Sequence, residues 1–214
     1  MEKLKPVIND FLKAVLAGAA VSLGATASLV TKPFDPVAAA FLFTLGLFAT
    51  LLFDLNLFTG KIGYLVYEKP KHAAFLALVL FGNFVGTVIM GVLINIGFNG
   101  ASIAELARIS AEQKLEIDYL QAFVRAIFCG VLMFVAADGY KRAEAPLMKA
   151  LPVILGVMVF SICGFEHSIA DAFIFAAAGV YSLEGFLWIM AAAAGNSVGS
   201  ILLALGLKAV EKKK

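Results

Sequence analysis

Gly164-Phe165-Glu166-His167-Ser168 interrupts an apolar segment that runs from about Leu147 to Val180. It places a carboxylic acid and one of the two histidines of the chain where a single apolar helix would otherwise continue. An ionisable side chain inside a membrane segment is costly, and such residues usually mark a substrate pathway or a proton relay. We therefore interpret this stretch as the centre around which the rest of the chain is organised.

The composition is typical of an integral membrane protein. Of the 214 residues, 62% are hydrophobic and 15% are charged, whereas soluble domains carry about 45–50% apolar and about 25% charged residues. A spanning helix needs roughly 20 apolar residues. Segments that meet this requirement begin near Val7, Val37, Ala73, Tyr119, Leu147 and Phe186. The sequence predicts an all-α membrane protein with six transmembrane helices, forming a single channel domain over residues 1–214. The fourth span is expected to end near Ala137, before a polar loop at 138–144.

The second and fifth apolar segments are longer than one crossing requires, and polar residues interrupt both. Asn56-Leu57-Phe58-Thr59-Gly60 lies inside the segment from Val37 to Tyr67, as the 164–168 stretch lies inside the fifth segment. Non-helical backbone at membrane depth is tolerated only where protein or a cavity satisfies its polar groups. We therefore expect helices 2 and 5 to be broken.

A short motif recurs in the two halves of the chain. Gly82-Asn83-Phe84-Val85-Gly86 in the third span reappears as Gly195-Asn196-Ser197-Val198-Gly199 in the sixth. The half-repeats cover about 1–98 and 115–208, and three crossings in each half predict an aquaporin-like inverted 3+3 repeat. Interrupted segments at corresponding positions of inverted halves indicate a transport site near the middle of the membrane. The alternative is that the motif reflects helix packing through small residues, with the asparagines tying helices together.

The distribution of basic residues predicts the orientation of the chain. If the N-terminus is cytoplasmic, 13 of the 17 lysine and arginine residues lie in cytoplasmic segments, three lie outside and Arg125 lies within a span. Basic residues are concentrated on the cytoplasmic side of membrane helices. We expect a multi-pass protein of the cell inner (plasma) membrane with both termini in the cytoplasm.

These motifs resemble those of the formate/nitrite transporter family. The resemblance covers essentially the whole chain and rests on Leu57-Phe58-Thr59-Gly60, Gly82-Asn83, Gly195-Asn196 and Gly164-Phe165-Glu166-His167-Ser168-Ile169-Ala170. It implies a homopentamer in the lipid bilayer, with one aquaporin-like pore in each protomer for passive, pH-dependent passage of small monovalent anions. The short chain and trimmed loops resemble the hydrosulfide-channel branch. Hydrosulfide is therefore the expected substrate, and formate, nitrite or chloride are further candidates.

The resemblance also implies roles for individual residues. The pore histidine falls on His167, its partner glutamate on Glu166 and the threonine of the first break on Thr59. The residues expected in the proton relay and substrate path are His167, Glu166, Thr59, Lys114, Asn83 and Asn196. The apolar constrictions fall on Phe43, Leu47, Leu57, Phe58 and Phe160. An asparagine of formate-type members is replaced by Gly130, which is expected to remove a hydrogen-bonding group near the histidine.

Structural roles are the alternative for several of these residues. Thr59 suits the start of a helix as a cap, Lys114 suits a solvated loop, and Glu166 with His167 suits a buried structural pair. Arg125 is expected at a subunit interface, or with its charged end extended towards the membrane surface.

The expected mechanism is protonation of the anion at His167, followed by passage of the neutral acid. Histidine exchanges a proton near neutrality, and a charge at the centre of a membrane costs about 2.5–3.5 kcal/mol or more. Two alternatives stay open. One is a proton-coupled formate or nitrite transporter on the same scaffold. The other is a membrane enzyme or electron-transfer subunit with a metal at His167 and Asp171. A zinc site needs three or four protein ligands, and a bis-histidine haem needs two histidines at matching depth. His72 and His167 meet neither requirement well, so we expect no metal, no cofactor, no enzymatic activity and no nucleic-acid partner.

Overall fold

The computed structural model describes residues 4–98 and 103–211. The helices over these residues are α1 (Leu4–Thr31), α2 (Pro36–Leu52), α3 (Phe58–Lys61) with a 3-10 helix (Ile62–Tyr67), α4 (His72–Gly97), α5 (Ile103–Leu115), α6 (Tyr119–Arg142), α7 (Pro146–Ile162), α8 (Ser168–Ala177) and α9 (Leu183–Glu211). Four of them, α1, α4, α6 and α9, are long and apolar enough to cross a membrane. Two pairs, α2 with α3 and α7 with α8, make the broken second and fifth spans. The predicted fold class is confirmed.

The two breaks have the same geometry. Each contains five residues, 53–57 between α2 and α3 and 163–167 between α7 and α8. The helix that follows is capped by Leu57 in the first break and by His167 in the second. Three positions before each cap the backbone is left-handed, with φ of 48° at Asp54 and 67° at Gly164. Leu57 and His167 are therefore equivalent positions of the inverted repeat, as are Asp54 and Gly164.

Asn83 of α4 holds the first break in place. Its Oδ1 accepts a hydrogen bond from the N–H of Phe58 at 2.8 Å. Its Nδ2 donates to the carbonyl groups of Asn56 at 2.8 Å and Ala14 at 2.7 Å. The first N–H groups of a helix have no partner within that helix, and a buried polar group without a partner is costly. The side-chain amide of Asn83 thus provides hydrogen-bond partners for backbone groups that the interruption leaves unpaired.

Asn196 of α9 makes the same three contacts with the second break. Its Oδ1 accepts from the N–H of Ser168 at 3.0 Å, and its Nδ2 donates to the carbonyl groups of Glu166 at 2.8 Å and Ala126 at 2.9 Å. Each hydrogen bond that Asn83 makes in the first half therefore has an equivalent made by Asn196 in the second half.

The glycines of the repeated motif bring each asparagine to its break. A Cβ on Gly82 would lie 2.6 Å from the Cβ of Ala14, and a Cβ on Gly195 would lie 2.7 Å from the Cβ of Ala126. Small residues allow membrane helices to approach closely, here α4 to α1 and α9 to α6. Both interpretations of the motif therefore apply, since it packs helices and also marks the repeat.

The expected loop at 138–144 is wrong, because α6 continues to Arg142. Asp138 and Arg142 form an ion pair one helical turn apart, and Arg142 also pairs with Glu211 of α9 at 2.7 Å. Ion pairs at this spacing support a helix. Arg142 finds its acidic partners one helical turn away and on another helix, so the helix continues where the polar composition predicts a loop.

Candidate functional site

Three cavities with shared lining residues lie between the two halves of the molecule, and together we call them the path. We name them the Lys114 vestibule, of about 410 Å³, the central chamber, of about 10 Å³, and the Lys61 vestibule, of about 130 Å³. The Lys114 vestibule and the central chamber share Phe43, Phe160 and His167 in their walls. The central chamber and the Lys61 vestibule share Leu47 and Leu57. The shared residues identify two narrow points, one on each side of the chamber.

Apolar side chains form both narrow points. The rings of Phe43 and Phe160 meet edge to face, with their centroids 5.5 Å apart. At the other end, Leu47 and Leu57 are both buried. Four of the five residues expected at the constrictions therefore line this path. Phe58 is also buried but lies outside the lining of the three cavities, because it packs in the core beside the first break.

His167 lies between the Lys114 vestibule and the central chamber. Its ring stacks on Phe160, with centroids 5.6 Å apart, and its Nε2 is 2.8 Å from Oγ1 of Thr59. Its Nδ1 accepts a hydrogen bond from the N–H of Ala170 at 3.2 Å. Only an unprotonated nitrogen accepts such a bond, so the proton of the neutral ring is on Nε2 and points to Thr59. Thr59, from the other half, is fully buried and contacts the histidine instead of capping α3.

Lys114 is the centre of an ion cluster in the wall of the Lys114 vestibule. Its Nζ contacts the carboxylate of Glu166 and lies 2.8 Å from Oδ1 of Asp171. Nη1 of Arg125 lies 4.0 Å from Oε1 of Glu166. Burial disfavours the charged amine, but the carboxylates of Asp171 and Glu166 outweigh this effect and raise the pKa of Lys114. Lys114, which lies on α5, therefore keeps its positive charge within this ion cluster and is not a solvated loop residue.

The path contains basic residues that the sequence analysis did not assign to it. Lys32 and Arg125 line the Lys114 vestibule, and Lys61 and Lys141 line the Lys61 vestibule. Lysines at the ends of spans look like ordinary cytoplasmic or surface residues in a sequence, so Lys32, Lys61 and Lys141 carry no distinguishing signal. Arg125 does, because an arginine inside a span is unusual. Basic residues outnumber acidic ones in the lining of both vestibules.

Asn83 and Asn196 lie beside the path and not in it. Both are fully buried, and both lie outside the lining of the three cavities. Their side-chain amides are occupied by the backbone of the breaks and of α1 and α6.

Gly130 is a packing position between α6 and α9. The loss of a hydrogen-bonding group near the histidine, which the resemblance implies for this position, stays a prediction. A Cβ on Gly130 would lie 2.8 Å from the carbonyl carbon of Asn196. Its counterpart in the first half, Gly18, has the same relation to Asn83, at 2.9 Å. The absence of a side chain at 130 is thus explained by the approach of α9 to α6.

The metal site considered from the sequence is not formed. Asp171 pairs with Lys114, and both ring nitrogens of His167 are engaged by Thr59 and Ala170. Within residues 4–98 and 103–211, no group of three or more His, Cys, Asp or Glu side chains is arranged to hold a metal ion.

Known proteins similar to this chain include transporters and channels. Residues 2–210 match the family model described as formate/nitrite transporter. The uncharacterized transporter YwcJ of Bacillus subtilis (strain 168) is 27% identical over 187 residues, which are 81% of this chain and 73% of that protein. The formate channel FocA of Escherichia coli (strain K12) is 25% identical over 191 residues, 79% of this chain and 66% of FocA, just under two thirds of its length.

Two solved structures share the fold. A pentameric formate channel with formate bound has a TM-score of 0.85 at 20% sequence identity, over 98% of this chain and 99% of that one. An ion channel described as belonging to the FNT family has a TM-score of 0.86 at 22% identity, over 95% of this chain and 90% of that one. With the family model matching residues 2–210, and with two equivalent breaks around His167, the chain belongs to the formate/nitrite transporter family.

Proposed function

We propose that the protein is a passive, pH-dependent channel for small monovalent anions, with hydrosulfide as its principal substrate and formate, nitrite or chloride as further permeants. Membership of a transporter family makes it a membrane transport protein and not an enzyme. The observation that supports the proposal is the path itself. Two vestibules, in each of which basic residues outnumber acidic ones by one, adjoin an apolar chamber of about 10 Å³, with His167 at its edge.

The two parts of this path favour different forms of the substrate. A vestibule lined by basic residues raises the local concentration of anions, and the positive end of α8, capped by His167, adds to this attraction. The apolar chamber disfavours the same anions, since a centred charge costs about 2.5–3.5 kcal/mol or more. A weak acid can satisfy both requirements by being charged in the vestibules and neutral in the chamber.

We infer that His167 delivers the proton. The neutral ring first takes a proton from water in the vestibule. The anion enters, takes a proton from the charged imidazole ring and so returns the ring to its neutral form. It then crosses the chamber as the neutral acid and releases the proton on the far side. Charging the ring adds a proton to Nδ1 and breaks the bond from the N–H of Ala170, so the charged ring is formed only transiently. Hydrosulfide suits this cycle because its parent acid is weaker than formic acid and the chamber holds only a small molecule.

The likeness to a solved structure supports a proposal for the oligomeric state, and the distribution of basic residues supports one for the orientation in the membrane. The solved formate channel of the same fold is pentameric, which supports a homopentamer in a lipid bilayer. The positive-inside distribution of lysine and arginine supports the inner membrane with both termini in the cytoplasm. The Lys61 vestibule then faces the cytoplasm, because Lys13, near the start of α1, pairs with Asp54 in its wall.

Flux measurements in one proteoliposome preparation test this function. Hydrosulfide, formate, nitrite and chloride are compared between about pH 5 and pH 8, the range in which histidine titrates. We expect hydrosulfide flux to be the largest and weak-acid flux to rise as the pH falls. His167→Asn should reduce that flux about 100-fold, the lower end of what a positioned proton donor contributes, and should flatten its pH dependence. The matched control is His72→Asn, which changes the other histidine, outside the three cavities.

Two results would contradict parts of the proposal. Unchanged pH dependence in His167→Asn excludes proton delivery by this residue. Accumulation of formate or nitrite beyond the ratio that passive equilibration of the neutral acid across the imposed pH difference gives identifies a proton-coupled transporter in place of a passive channel.

A further inference from the structure

Lys114 lies on the one described helix that has no counterpart in the inverted repeat. The helices α1, α2 and α4 correspond to α6, α7 and α9, and α3 with its 3-10 helix corresponds to α8, whereas α5 (Ile103–Leu115) stands between the two halves. The contacts that recur in both halves therefore do not position Lys114. The end of α5 that carries this residue is instead held by a side chain of α9.

Trp188 of α9 is joined to the backbone of Lys114 by two successive hydrogen bonds. It is the only tryptophan of the chain, and it is fully buried. Its Nε1 donates to the carbonyl oxygen of Ile117 at 3.1 Å, and the N–H of Ile117 donates to the carbonyl oxygen of Lys114 at 3.1 Å. Ile117 lies between α5 and α6. The indole thus fixes the turn that connects α5 to the second half of the molecule.

The same ring contacts the charged end of Lys114. The Nζ of Lys114 lies 5.2 Å from the centroid of the Trp188 ring, and a cation within about 6 Å of an aromatic face is attracted to it. The Nζ also contacts the carboxylates of Glu166 and Asp171. Because lysine has a long and flexible side chain, contacts at both of its ends restrict it more than the ion pairs alone.

The repeat shows that helix packing does not require an indole at this position. Because Asn196 of α9 is equivalent to Asn83 of α4, Trp188 is equivalent to Phe75. Phe75 packs against the core as a half-buried ring that has no N–H group. A buried tryptophan N–H needs a hydrogen-bond partner, so an indole is harder to accommodate than a phenyl ring. The indole occurs in the half that α5 joins, where its N–H has a partner.

We propose that Trp188 is a positioning residue of the transport site, which keeps the ammonium group of Lys114 at its two carboxylate partners. The inference rests on the proposed function, because it concerns the charge beside His167, where the anion takes its proton. With Lys114 in place, the carboxylates of Glu166 and Asp171 are neutralised. With Lys114 turned towards the vestibule water, their negative charge would repel the entering anion. Trp188 lies outside the lining of the three cavities, so it acts through Lys114.

Amine labelling of the full-length protein in detergent tests this positioning. An acetylating N-hydroxysuccinimide ester reacts with a lysine whose amine has left its ion pairs and lost its proton, and mass spectrometry gives the rate at each lysine. Trp188→Phe keeps an aromatic ring in the core and removes the N–H. It should raise the labelling rate of Lys114 about fivefold, the factor that one hydrogen bond of ordinary strength represents.

Three further measurements separate positioning from a general loosening of the structure. The labelling rate of Lys32, an exposed lysine of the same vestibule, should be unchanged in Trp188→Phe. Phe75→Leu, which changes the equivalent position of the first half, should leave the rate at Lys114 unchanged. In the unmodified protein, the single indole N–H signal of a nitrogen-15 spectrum should exchange slowly with solvent, and this measurement needs no variant.

Formate flux in proteoliposomes tests the consequence for transport. In Trp188→Phe the half-saturating formate concentration should rise by up to about threefold, the effect of one unit charge acting across about 7 Å of water. Maximal flux per folded protein should be unchanged, because the neutral acid crosses the chamber in the same way. A merely structural role of Trp188 would lower the amount of folded protein and leave the half-saturating concentration as it is.

Four results would overturn the inference while leaving the proposed function intact. They are an unchanged labelling rate of Lys114 in Trp188→Phe, an equal increase at Lys114 and Lys32, unchanged half-saturation despite faster labelling of Lys114, and rapid exchange of the indole N–H. Unmodified protein that passes none of the four anions would overturn the proposed function. The labelling rates do not depend on transport, so they would still decide whether Trp188 holds Lys114.

Discussion

Lys114 is a largely buried cation that lies between two carboxylates. Its side chain is 15% exposed, and the carboxylates of Glu166 and Asp171 both contact its Nζ. Because its pKa in the folded protein is raised above the ordinary value of about 10.4, its contribution to stability is fully present below that value. It is lost only as the pH rises through the higher folded-state pKa. Acidification therefore leaves Lys114 charged, so the pH dependence that we propose for transport has to come from another group.

Removing this charge should destabilise the protein strongly. Lys114→Met leaves two carboxylates buried without their partner, and breaking a buried ion pair from one side costs about 3–5 kcal/mol. We expect a clear fall in the thermal unfolding temperature of the protein in detergent. Adding Glu166→Gln and Asp171→Asn should restore part of the loss, because neither position then carries a buried carboxylate without its partner. Lys32→Met, at an exposed lysine of the same vestibule, should change stability by less than about 0.5 kcal/mol. An unfolding temperature of Lys114→Met equal to that of the unmodified protein would contradict this account.

At the scale of the helices, the sequence predicts where the two breaks lie but not the contacts that hold the helices in place. Polar residues inside two over-long apolar segments indicate both interruptions. Asn56 and Glu166 would be costly in a continuous helix at that depth of the membrane. The same composition at 138–144 suggested a loop, because the pairing of Arg142 with Glu211 joins positions far apart in the sequence. The expectation that Phe58 lies at the constriction differs from the structure, because an apolar residue in a membrane protein carries little information about which face of its helix it occupies.

The approach of α9 to α6 predicts the effect of side chains at position 130. Gly130→Ala should destabilise the protein by about 1–3 kcal/mol, as expected for overpacking, because the new Cβ meets backbone atoms of Asn196. Gly130→Asn should be worse. Gly206→Ala is the matched control, since a Cβ there meets nothing within 4 Å and alanine favours a helix over glycine by up to about 1 kcal/mol. Thermal unfolding in detergent compares the three. A stable Gly130→Asn variant with altered anion preference would instead support a hydrogen-bonding role at this position.

For the whole molecule, the inverted repeat was visible in the sequence as two Gly-Asn-x-Val-Gly motifs, whereas the two vestibules were not. The motif occurs twice because each break leaves backbone groups that need hydrogen-bond partners. Asn83 supplies them in the first half and Asn196 in the second. The vestibules bring together residues from separate helices, such as Lys61 and Lys141, whose individual positions look like those of any lysine near a membrane surface. Sequence periodicity therefore predicts the architecture, and the charge lining the path emerges only from the tertiary arrangement.

The two asparagines should be equally important for the fold. Asn83→Ala and Asn196→Ala each leave three backbone groups without their partner, and one unsatisfied buried group costs about 1–3 kcal/mol. We expect a loss of about 3 kcal/mol or more in both variants by thermal or denaturant unfolding. Ser197→Ala, which removes a bond to the Ala193 carbonyl of the same helix, should lose less than about 1 kcal/mol. A large effect in one half with none in the other would contradict the equivalence of the breaks.

The size of the central chamber has a kinetic consequence. A cavity of about 10 Å³ has room for roughly one water-sized molecule. With one molecule in the chamber at a time, and that molecule neutral as proposed, repulsion between ions does not drive it through as in multi-ion pores. We therefore expect different substrates to compete, each slowing the rest in proportion to its own occupancy. We also expect flux to level off once the chamber is always filled, which is the saturation and mutual competition usually associated with carriers.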